Sequence, residues 1–219
     1  MKNDTLKEFE WRKGAPKHPE IEKIFRKMFC YYNFYLREAD DLPYWSTEMA
    51  LVGNLSVAAA MAGFPTALEF YPDRPKKDHR RRADLWIGFS KTRDVLVEAK
   101  CSWRSRESMI SHAWVNKVLN GAENQARGYL EDVSKEENPW FLCPILFVPI
   151  SMNIKHFAEE KIEAIIDASR KAFIQVSSGS SFLAYYFLPK NEFEKDKYLD
   201  KEKKNYYPGI VIFGRIGRL

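Results

Sequence analysis

Polar and apolar positions along the chain fall into two alternating rhythms. Ile21, Ile24, Phe25, Met28, Phe29, Tyr32, Tyr35 and Leu36 follow the three-and-four spacing of a helix with one buried face. Asp40-Asp41-Leu42-Pro43 ends that helix, since the residue before a proline disfavours helical backbone. Ser46 or Thr47 then caps a second helix, Thr47 to Ala62, which stops at Gly63. Its many small residues predict close packing against a sheet. Ala67 to Tyr71 reads as a short strand and Pro72 to His79 as a polar loop. From Arg82 to Phe89 and from Val95 to Lys100 the pattern changes to that of two strands joined by the turn Ser90 to Asp94. A long helical segment follows, Glu107 to Val133, with a break expected near Asn120-Gly121. Phe141 to Pro149 is continuously apolar, as in a strand buried on both faces. A further helix, His156 to Phe173, and strands at Phe182 to Leu188 and Ile210 to Phe213 complete the pattern, with a charged excursion at Asn191 to Asn205. Residues 1 to 20 are polar and read as an arm. The order predicts an α/β fold, a central mixed β-sheet flanked by helices. The Phe141 strand is expected beside the Glu98 strand, in parallel, through the intervening helix. The chain divides into an arm and aromatic helix, 1–45, packed on an α/β unit, 46–219.

Length and composition narrow the class. The 219 residues suffice for one well-buried domain. The longest apolar run is too short to span a bilayer, and no apolar leader follows Met1. Cys30, Cys101 and Cys143 are odd in number and far apart, which fits neither a disulfide framework nor a zinc site. A cytoplasmic protein with no membrane partner is the expectation. The net charge of +5 allows a polyanionic partner without requiring one.

The chemistry concentrates in the hairpin. Its first strand carries Asp84, and its second ends Val95-Leu96-Val97-Glu98-Ala99-Lys100. Side chains alternate across a strand, so Glu98 and Lys100 share one face. A carboxylate and an amine at the end of an apolar strand must be paired or bound to something. Two other Glu-x-Lys triplets, at Glu159 and Glu202, lie in a helix and in a charge run. Only the hairpin triplet has an acid on the preceding strand and a helix after it. Phosphodiester hydrolysis needs a nucleophilic water, neutralised phosphoryl charge and help for the leaving oxygen, all of which a hard divalent cation supplies. Asp84 and Glu98 can converge on such an ion, with the Ala99 carbonyl as a further oxygen ligand. Lys100 can orient or deprotonate the water, or offset the growing charge. Glu48, in the first turn of the second helix, is also accounted for by the helix dipole alone. No Gly-x-Ser-x-Gly elbow, phosphate loop or dinucleotide fingerprint is present, and His18, His79, His112 and His156 form no triad pattern.

Arg82-Ala-Asp84-Leu-Trp-Ile followed by Val95-Leu-Val-Glu98-Ala-Lys100 resembles the PD-(D/E)XK nuclease superfamily, with the restriction endonuclease-like fold. Glu48 matches that superfamily's acidic helix residue, and Gln125 and Tyr129 match the Gln-x-x-x-Tyr helix motif of its RecB type. Ala83 stands where many members have proline. The resemblance covers Thr47 to Pro149. It implies a catalytic set of Glu48, Asp84, Glu98, Lys100 and Gln125. It also implies Mg²⁺ or Mn²⁺ held by Glu48, Asp84, Glu98 and Ala99, and cleavage that leaves a 5′ phosphate. Arg81, Arg82, Trp103, Arg104, Arg106 and Tyr129 would bind nucleic acid, the arginines on phosphates and Trp103 on a base. DNA is the expected partner, RNA the alternative, and a double-strand cutter would need a homodimer. Two other functions stay open at this point, a RecB-type exonuclease or repair nuclease and an inactive nuclease-like fold that binds nucleic acid or protein.

Overall fold

A computed structural model of the chain describes residues 6–39, 41–45, 47–70, 82–90, 93–130, 140–153, 159–176, 179–188, 199–200 and 204–218. The elements in order are β1 (Leu6–Trp11), α1 (Pro19–Glu38), α2 (Glu48–Met61), β2 (Thr66–Phe70), β3 (Ala83–Ser90), β4 (Arg93–Cys101) and a 3-10 turn (Glu107–Met109). They continue with α3 (His112–Leu130), β5 (Trp140–Asn153), α4 (Glu159–Ile174), β6 (Ser180–Phe187), β7 (Leu199–Asp200) and β8 (Asn205–Arg218). The strands form one mixed sheet in the order β1-β6-β8-β5-β4-β3-β2, with β7 paired to β8. β4 and β5 are parallel and connected through α3, and the other pairs are antiparallel.

Alternation along β5 explains the two layers. Ile145 and Phe147 face α1 and α2, in a core with Leu85, Val97, Phe182 and Ile212. Leu146 and Val148 face α3 and α4, in a core with Leu183, Val211 and Phe213. A strand covered on both faces has no polar face to show, hence the unbroken apolar run. Pro144 and Pro149 lie within this central strand. Pro144 has no N–H to donate, and paired residues to β8 skip from Leu142↔Gly217 to Ile145↔Gly214 around it. Gly214 and Gly209 of β8 sit opposite Phe182 and Phe187 of β6, whose rings occupy the space a side chain would need.

Four differences from the sequence reading have physical causes. Residues 6–11 form an edge strand rather than an arm, because Phe9 and Trp11 pack on Phe182 while β1 pairs with β6. α3 continues through Gly121, since its packing on β4 and β5 outweighs the weak helix propensity of one glycine. β5 and β8 extend beyond the expected boundaries. The segment that contains Glu107 forms a 3-10 turn before α3 begins. The polar loop at 72–79 lies outside the described residues, as do the start of the fourth helix near His156 and most of the excursion at 191–205.

Candidate active site

The second helix begins where the sequence places it. Thr47 Oγ1 accepts the Ala50 N–H at 3.4 Å and caps α2. Glu48 is the first helical residue, where the dipole favours a carboxylate. Its Oε2 accepts the Cys101 N–H at 2.7 Å. On the hairpin, the last paired residues toward this end are Leu85↔Val97. Beyond them Asp84 Oδ2 accepts the Ala99 N–H at 2.7 Å. Backbone groups two apart point to the same edge of a strand. Asp84 and Glu48 therefore take successive edge donors of β4, Ala99 and Cys101, while the opposite edge pairs with β5.

Glu98 and Lys100 share the face predicted for them. Glu98 is fully buried, with its side chain 0% exposed, and its Oε1 accepts from Lys100 Nζ at 2.7 Å. The Lys100 side chain is 32% exposed. Burial works to lower the Lys100 pKa. The hydrogen bond and charge of Glu98, then the charges of Glu48 and Asp84, outweigh it, and the ammonium is held above its ordinary range. Three carboxylates thus act on one lysine. Burial, then the Glu48 charge, push the Cys101 thiol up to about 11, which disfavours the thiolate.

Glu48 and Asp84 also line a cavity of about 320 Å³, together with Met49, Val52, Leu68 and Glu69. Glu69 was not legible as a site residue. It lies on β2 between the paired residues Leu68↔Leu85 and Phe70↔Ala83, with φ of 50°, and Arg82 donates to its Oε2. A left-handed backbone at a charged strand residue is uncommon, and no local pattern in the sequence announces it. Hard-oxygen chemistry at Glu48 and Asp84 suits Mg²⁺, which needs only one or two protein carboxylates. Among the described residues no group of three His, Cys, Asp or Glu side chains is arranged to hold a metal ion.

The remaining expected residues are distributed around this centre. Gln125 is exposed on α3. Asn116, Asn120 and Glu123 share the α3 flank that meets β8, where all three bond the Arg215 guanidinium. Gln125 lies nine residues from Asn116, two and a half turns on, and so occupies the opposite flank, toward β4 and β3. Tyr129 belongs to α3 by its backbone, and Arg81 lies outside the described residues. Trp103 meets Tyr207 edge-on at 5.4 Å, and the exposed Trp45 stacks on the same ring at 4.5 Å. Arg104 lies 3.9 Å from the Trp114 ring centroid and donates to the Trp103 carbonyl at 2.8 Å. Arg106 and Lys161 line a second cavity, near the end of β5. Trp45 and the nearly buried Arg215 were likewise not singled out by sequence. Each is a lone residue whose partner comes from a distant element.

No helix among the described residues is long and apolar enough to cross a membrane. Comparison of the chain with family models, with curated proteins and with solved structures gives no match in any of the three.

Proposed function

We propose that the chain is a metal-dependent nuclease of the PD-(D/E)XK type that hydrolyses phosphodiester bonds, with DNA cut internally as the favoured reaction. The observation that carries this reading is the gathering of Glu48, Asp84 and Glu98 about Lys100 at the end of the β3–β4 hairpin. The restriction endonuclease-like fold belongs to the same proposal. It is supported by the succession of α2, the β3–β4 hairpin, α3 and a parallel β5.

Glu48 and Asp84 would hold Mg²⁺ or Mn²⁺, with Glu98 and the Ala99 carbonyl as further oxygens. The ion, when bound, supplies an activated water and offsets charge on the phosphoryl oxygens. The Lys100 ammonium would donate to a phosphoryl oxygen and stabilise the charge that grows there. Glu98 fixes that ammonium by its 2.7 Å bond. The exposed Arg82, which pairs with Glu69, and the exposed Arg106 would receive the backbone of the nucleic acid.

Supercoiled plasmid incubated with the purified chain and Mg²⁺ or Mn²⁺ tests this. Nicking is expected, with loss of cleavage in Asp84→Ala and Lys100→Ala variants that remain folded. Cleavage unchanged in both would remove the site assignment. Degradation of linear DNA with circles left intact would make the enzyme an exonuclease of RecB type. A binding-only fold is the second reading. It is favoured by the close pairing of Lys100 with Glu98 and by the lack of three convergent ligands among the described residues. Metal-dependent turnover rejects it.

A further inference from the structure

The cavity beside Asp84 has a mixed lining. Glu48, Glu69 and Asp84 bring carboxylates to it. Met49 and Leu68, 67% and 50% exposed, and the buried Val52 bring apolar surface. Large apolar side chains left open in a cavity with a polar rim mark a surface that meets a ligand. What could fill it is limited by charge, size and shape. Three carboxylates would repel a phosphate held within the cavity but not a neutral base. A volume of about 320 Å³ is at the low end of small-molecule pockets, enough for a single nucleoside. A base stacked within a duplex cannot turn its flat face to Met49 and Leu68. An unstacked one can, and its exocyclic amino group can then donate to a carboxylate, the pairing Glu makes with cytosine. Glu69 is the acid placed for this, because it lines the cavity and Arg82 holds its carboxylate.

We propose that this cavity receives one unpaired, unstacked nucleotide next to the scissile phosphate, so that the protein prefers single-stranded or locally unpaired nucleic acid to continuous duplex. The inference rests on the nuclease reading for the identity of the ligand, while the cavity itself is tested through binding.

Oligonucleotides carrying 2-aminopurine, single-stranded or fully paired, are titrated with the full chain in Ca²⁺, and cleavage of the same oligonucleotides is followed in Mg²⁺ and Mn²⁺. A several-fold rise in 2-aminopurine fluorescence is expected with the single strand. Met49→Ser and Leu68→Asp should weaken that binding about tenfold each, as loss of an apolar contact of this size implies, without moving the urea midpoint. Equal or tighter binding of the paired oligonucleotide would overturn the proposal, as would unchanged binding in both variants. Cleavage without the fluorescence response leaves the nuclease reading standing and removes the nucleotide cavity. The fluorescence response without cleavage in either metal does the reverse. Neither response overturns both.

Discussion

Removing the Lys100 ammonium should cost stability that a second substitution gives back without restoring cleavage. Lys100→Met keeps most of the apolar stem and deletes the charge that bonds Glu98 at 2.7 Å. Two unit charges about 4 Å apart interact by about 4 kcal/mol at the effective dielectric of a protein near its surface. Breaking a fully buried pair costs about 3–5 kcal/mol, because the remaining charge stays in the interior. Glu98 is at that limit with 0% exposure, but Lys100 is 32% exposed and water screens the pair, so about 2–3 kcal/mol is the expected loss. Glu98→Gln in the Lys100→Met background removes the buried charge itself. The double variant should return to within about 1 kcal/mol of the parent, as replaced ion pairs generally do. Urea unfolding followed by tryptophan fluorescence gives all four corners of the cycle, and plasmid cleavage on the same samples gives activity. Both single variants and the double should be inactive. A Lys100→Met loss below about 0.5 kcal/mol would refute the energetic argument, since that is the size of an ordinary surface substitution. The same holds if Glu98→Gln brings no recovery. Activity retained in the double variant would refute the chemical one.

Two further predictions follow from single features. Lys100 has a folded pKa above its ordinary 10.5, so its contribution to stability is present below that value and is lost as pH rises through the folded pKa. Stability of the parent should therefore fall more steeply than that of Lys100→Met as pH rises above 10.5, measured by urea midpoints, and parallel curves there would contradict the pairing. Gly214→Ala would drive a Cβ into the Phe182 ring, which is already packed by Phe9, Trp11 and Phe25. It should destabilise by about 3 kcal/mol or more, and Phe182→Leu in the same chain should recover part of the loss in urea midpoint. No recovery would mean that the clash lies elsewhere.

What local spacing determines was legible in the sequence. Thr47 and Gly63 bracket α2 because capping and left-handed termination are decided within a turn of the helix, and Gly63 has φ of 88°. The meeting of Asp84 with the Glu98-Ala99-Lys100 end of β4 was legible because a hairpin brings its own strands together. β1 was not, because Phe9 and Trp11 are fixed by Phe182, more than 170 residues away in the chain. The same limit applies inside the site. Glu48 was legible as a first-turn acid, but the bond to Cys101 that brings it to the hairpin depends on how α2 lies against β4. Glu69 and Arg215 were invisible for that reason. One is a single acid in a short strand and the other a single arginine near the end, and only register and helix packing give each its neighbours.

Not every carboxylate in the cluster argues equally for chemistry. Asp84 and Glu48 bond the N–H groups of Ala99 and Cys101, which would otherwise be open donors at the edge of β4 where β3 has left it. A fold with no enzymatic role would place acids there too. Glu98 differs in being fully buried and bonded to Lys100. An apolar residue would fill the position beside Pro144 without the desolvation that a fully buried carboxylate incurs. The Glu98–Lys100 pair spends stability at the end of β4, where Lys100 also feels the charges of Glu48 and Asp84. That expense is what a catalytic cation and its anchor would require and what strand capping would not, so the pair, rather than the number of acids, separates the nuclease reading from a structural one.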